Sequence, residues 1–255
     1  MKTTIFSVFL FSFLVLSTSF LFAQNDSISY KDVDLSSIKW DSKNYDVNRD
    51  SAYVNPLIGI KKLMGGNKRF VEGKSIRPRQ DSTIIRQLEK GQTPFATIIG
   101  CSDSRVPNEM IFDQGLGDLF ILRTAGQVSS QASYGSIEFA TIYLNTKLIV
   151  VLGHTKCGAV AAAVALPENP PGHIVTLINA IKPAVIKCAN QEGDKVSNTV
   201  RQNVIEQVNS LRSLEPVLSR KYDKGELLIV GAVYNIETGK IEFLEETLKN
   251  IPVKK

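Results

Sequence analysis

This chain is poor in the residues that do chemistry. Among 255 residues there are only three cysteines, two histidines and one tryptophan. Cysteines so few, odd in number and not closely spaced, exclude a disulfide-stapled scaffold. There is no internal repeat and no low-complexity segment, and charge is not gathered into blocks. The formal net charge of +5 is spread along the chain, which argues against a nucleic-acid partner. With 43% hydrophobic and 22% charged residues the chain is neither fibrous nor wholly disordered, and it can bury a sizeable core.

Only the N-terminus carries a long apolar run. Lys2 precedes a stretch from Ile5 to Phe22 rich in Phe and Leu, and Ala23 precedes the polar Gln24-Asn25-Asp26. The pattern is that of a secretory leader, residues 1–23, cleaved near Ala23, and it predicts an exported, periplasmic protein without membrane attachment once the leader is removed. Leu21 stands two residues before the cut, where a small residue is usual, so an uncleaved anchor is the alternative. No Cys follows the run, so lipid attachment is not indicated. Losing Lys2 lowers the formal charge to +4. Residues 24–54, polar with scattered apolar positions including Trp40, read as an arm or linker, and 55–255 as the folded domain.

From Pro56, the spacing of Leu57, Ile60, Leu63, Met64 and Phe70 predicts a helix, and Ser82 to Leu88 a second. Beyond Pro94, strand-length apolar runs at Phe95–Gly100, Leu119–Arg123, Lys147–Gly153 and Leu227–Tyr234 alternate with helical patterns near 132–145, 158–165, 174–190 and 197–221. Lys240–Leu244, after Glu-Thr-Gly, reads as a hairpin partner of the preceding strand. The fold class is α/β: a mostly parallel central sheet with helices on both faces, an N-terminal helical extension and a C-terminal antiparallel edge strand.

Two short runs stand out against this sparse background: Cys101-Ser-Asp-Ser-Arg105 and His154-Thr-Lys-Cys157. Each directly follows a predicted strand, where open parallel sheets place their ligand crevice. Two thiolates and an imidazole suit Zn²⁺, and three protein ligands leave a tetrahedral ion one position for water. A Cys101–Cys157 disulfide or two buried free thiols is the plainer alternative. In an extended segment Asp103 and Arg105 project to the same side as Cys101, which puts an ionised acid and its cation beside the metal. Taken alone, that pair is better read as a structural ion pair; beside a zinc ligand the catalytic reading is the better one. Cys157 precedes Gly158-Ala-Val-Ala-Ala-Ala-Val164, a helix start whose dipole favours a thiolate, and Gly153 and Gly158 leave backbone room. His173, in Pro-Pro-Gly-His, reads as a surface-loop residue, with proton relay as the alternative. Cys188 reads as a small buried apolar residue.

The two runs, in this order, resemble the Cys-x-Asp-x-Arg and His-x-x-Cys signatures of the β-class carbonic anhydrases, with resemblance from about Leu57 to Leu244. It implies one Zn²⁺ per subunit on Cys101, His154 and Cys157, a catalytic dyad of Asp103 and Arg105, and reversible hydration of CO₂ to bicarbonate and a proton by zinc-bound hydroxide. It also implies that Asp103 either orients the hydroxide or swings onto the zinc at low pH. Gln92 resembles the glutamine that, in the plant-like branch, donates to substrate oxygen. Phe120 resembles an aromatic lining of the narrow pocket, and Gly158 joins them as a substrate-binding position. Phe139 stands where plant-like members carry a pocket Tyr. Ile98 replaces a Trp used for bicarbonate regulation in another branch, so that regulation is expected to be absent or altered, although Arg123 and Tyr234 match other members of its site. The resemblance further implies a homodimer or higher homo-oligomer, with a cleft lined from both subunits and N-terminal helices embracing the partner. Two alternatives stay open: the same zinc chemistry on carbonyl sulfide or carbon disulfide, and a non-catalytic zinc-stabilised assembly module.

Overall fold

A computed structural model describes residues 49–249 and 251–252; the expected leader, Trp40 and most of the arm lie outside the described residues. The chain opens with helices α1 (Arg49–Val54), α2 (Pro56–Val71) and α3 (Ser82–Leu88). Asn55 starts α2 by accepting the Leu57 and Ile58 N–H groups, with Pro56 in the first turn where a missing N–H costs nothing. Asp81 caps α3 in the same way. Leu57, Ile60, Leu63 and Met64 are buried along one stripe of α2. At about 2 kcal/mol for each such side chain, this stripe fastens the helix to the sheet.

The sheet is built from β1 (Ala96–Cys101), β2 (Leu119–Thr124), β3 (Leu148–His154), β4 (Leu228–Tyr234) and β5 (Ile241–Phe243). Their order is β2-β1-β3-β4-β5; the first four are parallel and β5 runs antiparallel to β4. β1 and β3 are buried along their whole length, as continuous apolar runs in a parallel sheet require. Successive residues face opposite layers. Leu148, Val150 and Leu152 pack with α2, while Ile149 and Val151 pack with Val204, Val208 and Leu211 on the other side.

Between the strands lie α4 (Asn108–Ile111), a 3₁₀ turn (Ala125–Gln127), α5 (Gln131–Ile142), α6 (Gly158–Ala165), α7 (Ile174–Lys187), α8 (Lys195–Arg212) and α9 (Leu218–Asp223), and α10 (Glu245–Leu248) follows β5. The single helix expected over 197–221 is two. Helix α8 ends at Arg212, and Pro216, which lacks an N–H and disfavours helical backbone in the residue before it, lies in the break. No described helix is long and apolar enough to cross a membrane.

Asn67, fully buried on α2, ties the two ends of the fold together. Its Nδ2 donates to the Ile111 and Gly239 carbonyls, and its Oδ1 accepts the Ile241 N–H, each at 2.9 Å. Asn67→Leu leaves three backbone groups unpaired, two of them in buried bonds, and is expected to lower the unfolding free energy by about 3 kcal/mol, read from denaturant midpoints.

Candidate metal centre

The parallel pairing of β1 with β3 sets Gly100 opposite Leu152, so the two strands deliver Cys101 and His154 side by side at their carboxyl ends. Each is the last residue of its strand rather than the first after it. Cys157 follows three residues after His154 as the N-cap of α6. The two sulfurs and one imidazole nitrogen lie within 4.8 Å of one another, and all three residues are buried. No cluster of this kind forms around Cys188 among the described residues; it is buried apart, its Sγ donating to the Asn198 carbonyl.

The donor set fits a metal ion. His154 Nδ1 lies 2.9 Å from the Thr155 carbonyl, which can only accept, so the ring proton sits on Nδ1 and the Nε2 lone pair is free. That Nε2 is buried without a hydrogen-bond partner, an orphan that a metal ligand bond would satisfy. Cys101 Sγ accepts N–H groups from Asp103 at 3.4 Å and Gly126 at 3.3 Å. The Cys157 thiol, donating to Cys101, does most to hold the Cys101 pKa down at about 4 against burial, with help from His154 and these two N–H groups. The same shared proton pushes Cys157 well above the ordinary thiol range. Burial opposes charge on His154, yet the neighbouring Cys101 sulfur and the Thr155 carbonyl raise its pKa.

Asp103 stands at the edge of this group, Oδ2 3.8 Å from His154 Nε2. Its two oxygens meet Arg105 Nε and Nη2 at 2.9 and 2.7 Å, and this bidentate pair holds the carboxyl well below the usual carboxylate range. The pair does not arise by the expected extended alternation. The chain turns here: Asp103 Oδ1 accepts the Arg105 N–H and the Asp103 carbonyl accepts that of Val106, an Asx-type turn that folds the guanidinium back onto its carboxylate. Arg105 Nη2 also reaches the Lys156 carbonyl at 3.3 Å, which joins the two motif loops.

The remaining expected residues are not gathered here by one chain. Gln92 is exposed ahead of β1, and Phe120 pairs with Thr97 near the start of β2, both toward the amino end of the sheet. At about 3.3 Å per residue, the length of β1 separates that end from Cys101. Gly158 is exposed as the first residue of α6, beside Cys157. Ile98 is in the core rather than on a pocket wall, and Phe139 is exposed on α5, tilted against Tyr143 with ring centroids 5.2 Å apart. Tyr234 is buried at the end of β4, opposite His154. His173 is exposed at the start of α7.

Two supports were not foreseen. Arg123 donates from Nε to the Cys101 carbonyl at 3.0 Å and from Nη2 to the Asp103 carbonyl at 2.7 Å, clamping the first motif. Gly126, at φ 69°, turns its N–H onto the Cys101 sulfur. The Gly at the end of Arg123-Thr-Ala-Gly126 hinted at a turn; nothing hinted at its target.

A protein-family model described as carbonic anhydrase matches residues 96–241, from the first residue of β1 to the first of β5. The chain is 41% identical over 190 residues to carbonic anhydrase 2 of Mycobacterium tuberculosis, covering 73% of this chain and 92% of that one. Its structure is similar to a tetrameric β-carbonic anhydrase from the ascomycete Sordaria macrospora, with TM-score 0.58 and 27% identity over 71% of this chain and 94% of that one. It is similar also to the Coccomyxa β-carbonic anhydrase solved with acetazolamide, with TM-score 0.60 and 27% identity over 71% and 84% of the two chains.

Since metal ligation needs both thiolates and Cys157 holds its proton tightly, adding zinc to metal-free protein at pH 7 is expected to release at least one proton per ion bound. Indicator titration in weak buffer measures this, and zinc uptake without acidification contradicts it.

Proposed function

The chain belongs to the β-class carbonic anhydrases, and from that membership we propose that it hydrates CO₂ reversibly to bicarbonate and a proton, using one zinc ion per subunit. The observation that carries the proposal is the buried group of Cys101, His154 and Cys157 with its ligand atoms within 4.8 Å and an ionised carboxylate at its edge. When bound there, zinc supplies a water acidified from about 15.7 toward about 7, a nucleophile at near-neutral pH. Cys101, His154 and Cys157 hold the ion, and the two thiolate charges offset its own.

Asp103 Oδ2 is the atom placed to accept the nucleophile's hydrogen bond and so aim its lone pair at carbon. Arg105 keeps that carboxylate ionised and fixed from both oxygens. This pairing supports an orienting role over closure of the site by Asp103. Arg123, through the Cys101 and Asp103 carbonyls, keeps ligand and acceptor in register. Gly158 leaves the space beside Cys157 free of a side chain: a Cβ there would meet nothing within 4 Å.

Gln92 and Phe120 serve this site when a second subunit brings them to it, so the working unit is a homodimer or a multiple of one. Exposed Phe139 and Ile142 on α5 and Tyr143 just after it, beside the half-buried edge strand β2, support such a contact. Gln92, with Ile98 in place of the regulatory Trp, favours the plant-like branch. Export through the leader at 1–23 completes the proposal.

Asp103→Asn is expected to retain zinc yet lose about 100-fold or more in CO₂ hydration by stopped flow; an undiminished variant removes the role assigned to Asp103. Comparing turnover on CO₂ and carbonyl sulfide separates the two substrate classes. Mixing weakened Gln92→Ala protein with Asp103→Asn protein under conditions that exchange subunits is expected to restore activity, because each hybrid rebuilds one intact site; no recovery means that Gln92 does not act across the interface.

A further inference from the structure

Gly126 connects the metal ligands to a helix remote in sequence. Its backbone lies in the left-handed region, φ 69° and ψ 19°, which directs its N–H to Cys101 Sγ at 3.3 Å. The left-handed backbone strains any side chain there, and an added Cβ would stand 2.9 Å from Ile181 Cδ1. The carbonyl of the same residue accepts Asn203 Nδ2 of α8 at 3.0 Å, across 77 residues of sequence.

Asn203 is an odd choice for packing. It is completely buried, its Oδ1 has no hydrogen-bond partner, and beside it on the buried face of α8 stand Val200 and Val204 as well as Thr199 and Gln207. Burying a primary amide with its oxygen unpaired costs stability, so an apolar residue would serve the helix better. What the amide alone supplies is the bond to Gly126.

We propose that Asn203 is a positioning residue for the Cys101 thiolate: by anchoring the Gly126 carbonyl it holds the Gly126 N–H on the sulfur and so sets how firmly the site binds its metal. This inference rests on the zinc-site reading of Cys101, His154 and Cys157. A hydrogen bond to a ligating sulfur stabilises its negative charge and fixes its direction, and loss of such outer partners typically weakens metal binding by about 10–100-fold.

The test compares the full chain with Asn203→Leu, which keeps the number and branching of side-chain heavy atoms, and Asn203→Ser, which keeps polarity but cannot reach Gly126. Zinc affinity is read by chelator competition, the sulfur-to-metal charge-transfer band by Co²⁺ substitution, and the fold by unfolding of metal-free protein. Zinc binding weakened about tenfold or more and a shifted Co²⁺ band in both variants, with metal-free unfolding midpoints no lower for Leu, are expected. Unchanged affinity and an unchanged band overturn the proposal. So does failure of both variants to fold, which makes Asn203 a brace of the fold. A parent chain that binds no zinc brings down the zinc-site reading itself, a separate failure.

Discussion

Parallel pairing of β1 with β3 is the constraint from which the site follows. Both strands run inside the sheet, covered on both faces, so their ladder is held by burial as well as by hydrogen bonds. Their common direction means that both chains leave the sheet at one edge, and a ligand ending each strand lies beside the other. A shift of one residue would turn Cys101 to the opposite layer and bury Ile98 where Ile99 belongs. The apolar alternation through Leu148, Ile149, Val150, Val151 and Leu152 opposes that slip, so packing of the core protects the geometry of the metal ligands.

Charge is the second constraint. Two thiolates in a buried place are tolerated only if something compensates them, and the chain supplies compensation in tiers. Backbone N–H groups of Asp103 and Gly126 reach Cys101, and the start of α6 lies at Cys157. The guanidinium of Arg105 faces outward, holding Asp103 rather than the sulfurs, so the acid beside the metal is oriented without neutralising the ligands. Arg123 then fixes the carbonyls behind both Cys101 and Asp103. The tiers share one logic: each group that touches the centre is held by another that does not.

Much of this was legible in the sequence because its signals are local. Strand-length apolar runs, the helical spacing from Pro56 and the two compact motifs lie within short windows, and the observed strands differ from the expected ones by a residue or so at their ends. The expectation of one helix over 197–221 gave too little weight to Pro216. The extended path expected through Asp103 and Arg105 overlooked that an Asp side chain can bond the backbone two residues on and close a turn instead.

Local sequence therefore determined the element types, the α/β class and which side chains stand at the candidate metal centre, since periodicity, capping and residue type act over a few neighbours. Tertiary structure alone decided what those side chains meet. That Arg123 clamps two carbonyls, that Asn203 reaches Gly126 across 77 residues, and that Gln92 and Phe120 lie toward the end of the sheet away from Cys101 all depend on how strands are ordered and where helices cross them. Those placements come from long-range packing, which no window of the sequence contains.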